Sequence, residues 1–195
     1  MYRTLCQALI NRFAIQTPPN RACDLGCGTG ESTRVLQSAL PANVEVVGTD
    51  GSLAMLEIAA LAPTTPNLSY SLLPELIGSR FDLIVANASV WQFEPEALGS
   101  FLKQWWAASG TLMYNLPTEP LSDPQFRHLL RGQDLSDLCG ARCELEISQY
   151  SYIGSSVEAI DFLTVPIFRS NANIALFSIF KKFTTDWTFV KARRT

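Results

Sequence analysis

The sequence predicts an α/β protein built on a doubly wound, mainly parallel sheet. Short apolar runs alternate with helical patterns from the first third of the chain onward, which is the order of stacked βαβ units. One run, residues 81–86, is almost continuously apolar, as expected of a central parallel strand that is buried on both faces. A glycine-rich segment at residues 26–30 separates a predicted strand from a predicted helix.

The individual elements follow from residue spacing. Apolar residues at helical spacing predict helices at residues 5–13, 31–40 and 95–106, and another from the N-cap Ser52 to the proline loop that begins at Pro63. Compact apolar runs predict strands at residues 22–25, 44–49, 68–72, 81–86 and 111–116. The last third is less regular. It predicts a helix at 124–138, an alternating strand at 144–152, a helix opened by the capping box of Ser155 and Glu158, and a closing strand at 187–190.

The composition indicates one folded domain. Of the 195 residues, 47% are hydrophobic and 17% are charged, which is enough apolar surface to form a core. The net charge is −3, and it argues against a protein that grips a nucleic-acid backbone through a basic face. We therefore expect a small-molecule or protein-borne partner and no nucleic acid.

The cysteines predict a reduced, cytoplasmic setting. There are five, an odd number without paired spacing, and no signal-peptide pattern opens the chain. Cys139 and Cys143 have the spacing of one helical face, but the single histidine leaves a zinc site short of ligands, so no metal is expected. No apolar run has the length of a membrane span, and we expect a soluble protein without a membrane partner.

The glycine-rich segment carries the chemistry. Residues 24–31 read DLGCGTGE, and alternate glycines allow a tight turn whose bare backbone N–H groups face a ligand beside a helix N-terminus. The dinucleotide fingerprint G-x-G-x-x-G requires glycine where this chain has Glu31. An acid at that place also repels a pyrophosphate, so the spacing disfavours nicotinamide and flavin cofactors.

This acid-x-G-x-G-x-G spacing resembles motif I of class I S-adenosylmethionine-dependent methyltransferases. Asp50 ends the second predicted strand, where the family places the carboxylate that accepts the ribose hydroxyls, and residues 80–88 (RFDLIVANA) and 109–112 (SGTL) resemble its fourth strand and the turn before its fifth. The resemblance implies a Rossmann-like sheet of seven strands with one antiparallel edge strand. It also implies one methyltransferase domain over residues 1–195, with an N-terminal helix in 1–20, a cofactor-binding half in 21–116 and a substrate-side half in 117–195.

The resemblance implies S-adenosyl-L-methionine as cofactor, and it implies a set of binding residues. They are Asp24, Gly26, Cys27, Gly28, Gly30, Asp50, Gly51, Ser52, Met55, Leu72, Leu73, Asn87 and Ala88. Many family members hold an aspartate for the adenine amino group where this chain has Ser71. This departure implies that backbone groups at Leu72 and Leu73, together with apolar packing, hold the adenine instead.

The acceptor stays open between a small molecule and an acyl carrier protein, with a carboxylate as one candidate. Residues 87–93 and 150–158 are faintly similar to the malonyl carrier-protein O-methyltransferases of biotin synthesis. Ligands of open α/β sheets bind beyond the carboxyl ends of the strands, so the substrate residues are expected to be Trp91, Tyr114, Asn115, Arg127, His128 and Arg131. His128 is also the one candidate for a histidine base, and no catalytic residue is assigned. The alternative from another class is a degenerate methyltransferase fold that binds without turnover.

Overall fold

The computed structural model describes residues 1–63, 65–73, 80–118, 129, 131–155 and 182–194. Strands β1 to β7 are Arg21–Leu25, Glu45–Asp50, Leu68–Leu72, Phe81–Ala86, Trp106–Pro117, Cys143–Ser155 and Lys182–Arg194. Helices α1 to α5 are Tyr2–Phe13, Glu31–Ala39, Leu53–Leu61, Pro95–Trp105 and Gly132–Cys139, and a short 3₁₀ helix, η1, covers Val90–Gln92.

The strands form one sheet in the order β3-β2-β1-β4-β5-β7-β6. The first five strands in this order pair in parallel, whereas β7 is antiparallel to both of its neighbours. The prediction of a mainly parallel, seven-stranded, doubly wound sheet is confirmed. The antiparallel strand lies one position inside the edge, and the edge strand is β6.

Most predicted bounds in the first half agree with the structure, and β3 and β4 agree to the residue. Strand β5 is longer than predicted, because Trp106 already pairs with Phe81 before Thr111 pairs with Leu83. Residues 107–110 therefore bulge out of the ladder. Of the segment 109–112 predicted as a turn before this strand, Ser109 and Gly110 lie in the bulge, whereas Thr111 and Leu112 pair with Leu83 and Ile84. Strands β6 and β7 also exceed their predicted lengths, because they pair with each other over 13 residues each.

Part of the predicted substrate-side half lies outside the described residues. The helix predicted at 124–138 is observed as α5, which begins at Gly132, while 124–128 and 130 are not described. Ser155 ends β6, and the rest of the helix predicted from its capping box is not described. One sheet takes strands from both predicted halves, and the division into halves stays a prediction.

Two apolar clusters fill the space between the sheet and its helices. The first contains residues of α1 and α2, and the second contains residues of α4 and α5. Because helices cover both faces of the sheet, a ligand is expected to bind at the carboxyl ends of the parallel strands. Within the described part of the chain, no helix combines the length and the apolar character that a membrane span requires.

Candidate active site

The glycine loop between β1 and α2 is fixed by the end of β2. The backbone N–H groups of Gly26 and Cys27 donate to the Thr49 carbonyl at 2.8 and 2.9 Å. The N–H of Gly28 donates to the Asp50 carboxylate at 2.8 Å. Three successive N–H groups of the loop thus have acceptors on the neighbouring strand, so the loop has a defined position.

Two positions of this loop require glycine for different structural reasons. Gly26 has φ +74°, and a Cβ there would lie 2.5 Å from the Cβ of Ser89, which follows β4. Gly28 has φ +52°, but a Cβ there would meet no atom within 4 Å. The first glycine permits close packing of the loop on the β4 end, and the second leaves bare backbone towards open space.

Asp24 connects β1 to the first turn of α2, on the two sides of the glycine loop. Its carboxylate is fully buried, and one oxygen accepts hydrogen bonds from Ser32 and Thr33 in the first turn of α2, both at 2.6 Å. The other oxygen, Oδ1, has no hydrogen-bond partner among the described residues. Burial raises the pKa of Asp24 to about 6, and the two hydroxyl donors oppose this rise.

Asp50 joins the loop to the next helix. Besides accepting from Gly28, its carboxylate accepts from the Ser52 N–H at 2.9 Å. Ser52 is the N-cap of α3, and its side chain accepts from the Met55 N–H. One carboxylate therefore holds both backbone segments that follow β1 and β2.

These segments enclose a cavity of about 620 Å³ beyond the carboxyl ends of β1, β2 and β4. Nine of the predicted cofactor residues line it, namely Gly26, Cys27, Gly28, Asp50, Gly51, Ser52, Met55, Asn87 and Ala88. The other four do not line it, namely Asp24, Gly30, Leu72 and Leu73. Gly30 is the N-cap of α2, so it belongs to the loop without facing the cavity.

Leu72 and Leu73 lie at the end of β3, beside Asp50. Leu72 pairs with Asp50 in the β2–β3 ladder, and the Leu73 N–H donates to the Asp50 carbonyl at 2.9 Å. This N–H group therefore already has an acceptor within the protein. A role of Leu73 in holding adenine stays a prediction.

The exit of β4 is held by a chain of amides. Asn115, fully buried on β5, accepts from the Ala88 N–H at 2.6 Å and donates to the side-chain oxygen of Asn87 at 2.8 Å. Asn87 in turn donates to the Tyr2 carbonyl on α1 at 3.0 Å. Ala88 has φ +56°, a conformation that side chains rarely adopt and that recurs at functional sites. Asn115 thus supports the cavity wall from behind.

The other predicted substrate residues are more scattered. Tyr114 is fully buried and its hydroxyl donates to the Leu129 carbonyl, so it belongs to the core behind the cavity. Trp91 is partly buried against Trp187, with ring centroids 5.9 Å apart. Arg131 is exposed and is the N-cap residue of α5. Arg127 and His128 lie outside the described residues, and all substrate roles stay predictions.

Several residues line the cavity but were not predicted from the sequence as site residues, namely Tyr2, Thr29, Glu31, Ser32, Ser89, Gln92 and Phe93. Ser32 had a usable signal, because a hydroxyl in the first turn after a glycine loop is within reach of the preceding strand. Tyr2 had none, since α1 reaches the cavity only through tertiary packing. The Glu31 carboxylate pairs with Arg34 at 2.6 Å and with Arg3 at 3.5 Å, which offsets its charge at the helix mouth.

The sequence of this region matches known methyltransferases. Residues 22–109 match the profile of a family described as a methyltransferase domain. The chain is 38% identical over 96 residues to trans-aconitate 2-methyltransferase of Klebsiella pneumoniae, a match that covers 48% of this chain and 38% of that protein. The chain thus resembles methyltransferases over residues 22–109, which is less than half of its length. It spans less than half the length of the curated relatives that it matches.

Solved structures share the fold of this chain. The YcgJ protein of Bacillus subtilis has a TM-score of 0.68 at 14% identity, and 97% of each chain is covered. The phosphoethanolamine N-methyltransferase 2 of Haemonchus contortus, solved with phosphomonomethylethanolamine and S-adenosylhomocysteine, has a TM-score of 0.63 at 15% identity. That match covers 98% of this chain and 52% of the other. At such identities the likeness concerns the fold.

Proposed function

We propose that this chain binds S-adenosyl-L-methionine in the cavity and transfers its methyl group to a carboxylate of a small acceptor. The observation that carries the proposal is the glycine loop tied to Asp50 around a cavity of about 620 Å³. This volume is in the range of cofactor sites. A Cβ at Gly28 or Gly51 would project into open space, so a ligand can approach bare backbone there.

The residues present fit the ribose, the carboxylate and the methyl end of this cofactor. The Asp50 carboxylate would accept the two ribose hydroxyls, and Ser52 and Met55 also line the cavity. The N-terminus of α2 offers partial positive charge to the cofactor carboxylate. Asn87 and Ala88 form the wall at the β4 exit, where the acceptor would meet the methyl group.

The cofactor supplies a sulfonium-bound methyl group that already has its leaving group, so positioning accounts for most of the acceleration. A hydroxyl or amine acceptor also needs a base within hydrogen-bond reach, whereas a carboxylate is ionised at pH 7. The names of the curated relatives contain trans-aconitate, which is a tricarboxylate, and this favours an acidic acceptor.

The finer parts of the proposal concern the acceptor and the setting. Arg127, His128 and Arg131 would bring positive charge to an acidic small molecule or to an acyl carrier protein. The five cysteines are free thiols, which favours the cytoplasm. The net charge of −3 still argues against a nucleic-acid partner.

A second candidate function is a module that binds without turnover. Two observations favour it: Ser71 stands where many relatives have an adenine-binding acid, and the Leu73 N–H is engaged by Asp50. Both reduce the groups that face adenine. Such a module would bind S-adenosylmethionine and release no S-adenosylhomocysteine.

The test uses methyl-labelled S-adenosylmethionine with trans-aconitate, other di- and tricarboxylates and malonyl carrier protein as acceptors. We expect S-adenosylhomocysteine together with a labelled ester that releases methanol in alkali. A base-stable methylated product would contradict the carboxylate acceptor, and binding without any turnover would support the module. We also expect thermal stabilisation by S-adenosylmethionine and S-adenosylhomocysteine but not by NAD or FAD.

A pair of variants tests the binding site itself. Asp50→Ala should lose on the order of 1.5–3 kcal/mol of S-adenosylhomocysteine affinity, because a charged acceptor of two hydroxyls is removed. Asp82→Ala is the matched control, since Asp82 also accepts two backbone N–H bonds, from Asn20 and Arg21, but lies outside the cavity lining. Calorimetric titration of both folded variants gives the comparison. Equal affinity of the Asp50→Ala variant and the wild type would show that Asp50 does not bind the cofactor.

A further inference from the structure

Two thiols meet where α5 ends and β6 begins, away from the candidate active site. The Sγ atoms of Cys139 and Cys143 are 3.3 Å apart, and both residues are buried. Helix α5 ends at Cys139, Gly140 follows with φ +66°, and Cys143 begins β6. The pair is therefore formed by a turn, not by the single helical face that its spacing suggested.

Hydrogen bonds hold the turn that carries this pair. The Ser136 hydroxyl accepts from the Cys143 N–H at 2.8 Å and donates to the Gly132 carbonyl at 2.5 Å. The Ala141 N–H donates to the Ser136 carbonyl at 3.1 Å. Because a disulfide requires sulfurs about 2.05 Å apart, the thiols need to approach by little more than 1 Å.

The five cysteines differ in their tendency to ionise. A hydrogen bond from the Cys143 thiol lowers the pKa of Cys139 and raises that of Cys143, and Arg194 nearby favours the thiolate of Cys139. Burial instead raises the pKa values of Cys6, Cys23 and Cys27. Since the thiolate is the nucleophile, this difference favours Cys139 as the attacking thiol of the pair.

We propose that Cys139 and Cys143 form an oxidation site that peroxide converts into a disulfide. The Cys139 thiolate attacks one oxygen of hydrogen peroxide, the O–O bond breaks, and the leaving hydroxide takes a proton to become water. The Cys143 sulfur then attacks the Cys139 sulfenic sulfur, and the departing hydroxyl takes the Cys143 proton as a second water. Two thiols are oxidised, and one peroxide is reduced to two waters.

This site is independent of the proposed methyl transfer. Neither cysteine lines the candidate cavity, and no residue of α5 does. Oxidation at this pair can thus be measured on protein that has never met a cofactor or an acceptor.

The test treats the reduced, full-length protein with hydrogen peroxide at pH 7, alkylates the remaining thiols and digests with trypsin. Cleavage after Arg142 separates the two cysteines, so the disulfide links two peptides that dithiothreitol parts. Before alkylation, we expect the intact mass to fall by two hydrogen atoms. After alkylation, we expect Cys6, Cys23 and Cys27 to be alkylated. In denaturant the selectivity should vanish, because the fold creates it.

Two variants separate the two roles. In Cys143→Ser we expect Cys139 to stop at the sulfenic acid, which dimedone traps, because the resolving thiol is absent. In Cys139→Ser we expect Cys143 to stay alkylatable, since its thiol is not activated. Oxidation of Cys6, Cys23 or Cys27 as fast as the pair, or no linked peptide in the native wild type, would overturn the proposal.

Discussion

The cavity lies between two pairs of strand ends that are held by different kinds of hydrogen bond. At the β1 and β2 ends, backbone N–H groups of the glycine loop meet acceptors on one neighbouring strand, Thr49 and Asp50. At the β4 and β5 ends, side-chain amides reach across the chain, and Asn87 bonds a residue 85 positions away on α1. The first region depends on backbone shape, and the second depends on the identity of a few buried amides.

This difference predicts different responses to substitution. A loop that depends on positive φ angles and on the absence of a side chain accepts very few residue types. A network of amides tolerates changes elsewhere, but it fails when one donor or acceptor is left without a partner. Substitutions in the two regions test this contrast.

Gly26→Ala should destabilise the protein by roughly 2–5 kcal/mol, because positive φ and overpacking both add cost. The new Cβ would lie 2.5 Å from that of Ser89, and one of the two backbones must move. Denaturant unfolding measures this loss.

Gly28→Ala is the matched control for this loop. It also has positive φ, but its Cβ has open space, so the stability loss should be about 1–2 kcal/mol. Since that Cβ would enter the cavity, S-adenosylhomocysteine binding should suffer instead. Equal stability losses in the two variants would show that the Ser89 contact does not decide the effect.

Asp24→Asn should stabilise the protein at neutral pH by up to about 3 kcal/mol. Burial raises the pKa of Asp24 to about 6, above the usual value near 3.9 of an unfolded chain. Below about pH 4 the carboxyl is protonated in both states and costs nothing. As pH rises from about 4 to 6 the unfolded state loses the proton first, so the wild type loses stability, and above about 6 the full cost remains.

The measurement is the difference in unfolding free energy between Asp24→Asn and wild type from pH 4 to pH 8. Carboxylates other than Asp24 titrate in both proteins and cancel in this difference. A gap that stays constant over the whole range would refute the raised pKa.

The contrast between the two regions also explains which features could be predicted from the sequence. The glycine loop and Asp50 form a local pattern, because each functional group belongs to the backbone or ends a strand within residues 24–52. The parallel strands β3 and β4 were equally readable, since apolar runs between turn residues leave few other structures. These features need no knowledge of distant partners.

The rest depends on contacts that spacing does not encode. Tyr2 reaches the cavity only because α1 packs beside α2, and Asn115 supports Ala88 only because β4 and β5 are neighbours. The length of β6 and β7 follows from their mutual pairing. Tyr114 was expected at the cavity because it lies at a strand exit, but alternation along β5 directs it into the core instead.

Asn115→Ala should destabilise the protein by about 1–3 kcal/mol, because the Ala88 N–H and the Asn87 side chain lose buried partners. We also expect a lower kcat/KM, since Ala88 is released from its positive φ beside the cavity. Asn67→Ala is the control, because Asn67 bonds a backbone carbonyl at an exposed site away from the cavity. If the Asn115→Ala protein is as stable and active as the control, the amide network has no role at the site.

The smallest expected effect belongs to the acceptor side. If the acceptor is acidic, Arg127→Ala combined with Arg131→Ala should raise its KM roughly threefold to tenfold, because a single ion pair contributes little. Affinity for S-adenosylhomocysteine should stay unchanged, since Arg131 does not line the cavity. The charge-matched control combines Arg142→Ala and Arg193→Ala, two exposed arginines at the opposite end of the sheet. If both double variants raise KM equally, long-range charge attracts the acceptor, and the pair at 127 and 131 has no specific role. If neither does, the acceptor is neutral or binds elsewhere, and the β4 exit at Asn87 and Ala88 becomes the place to search for its contacts.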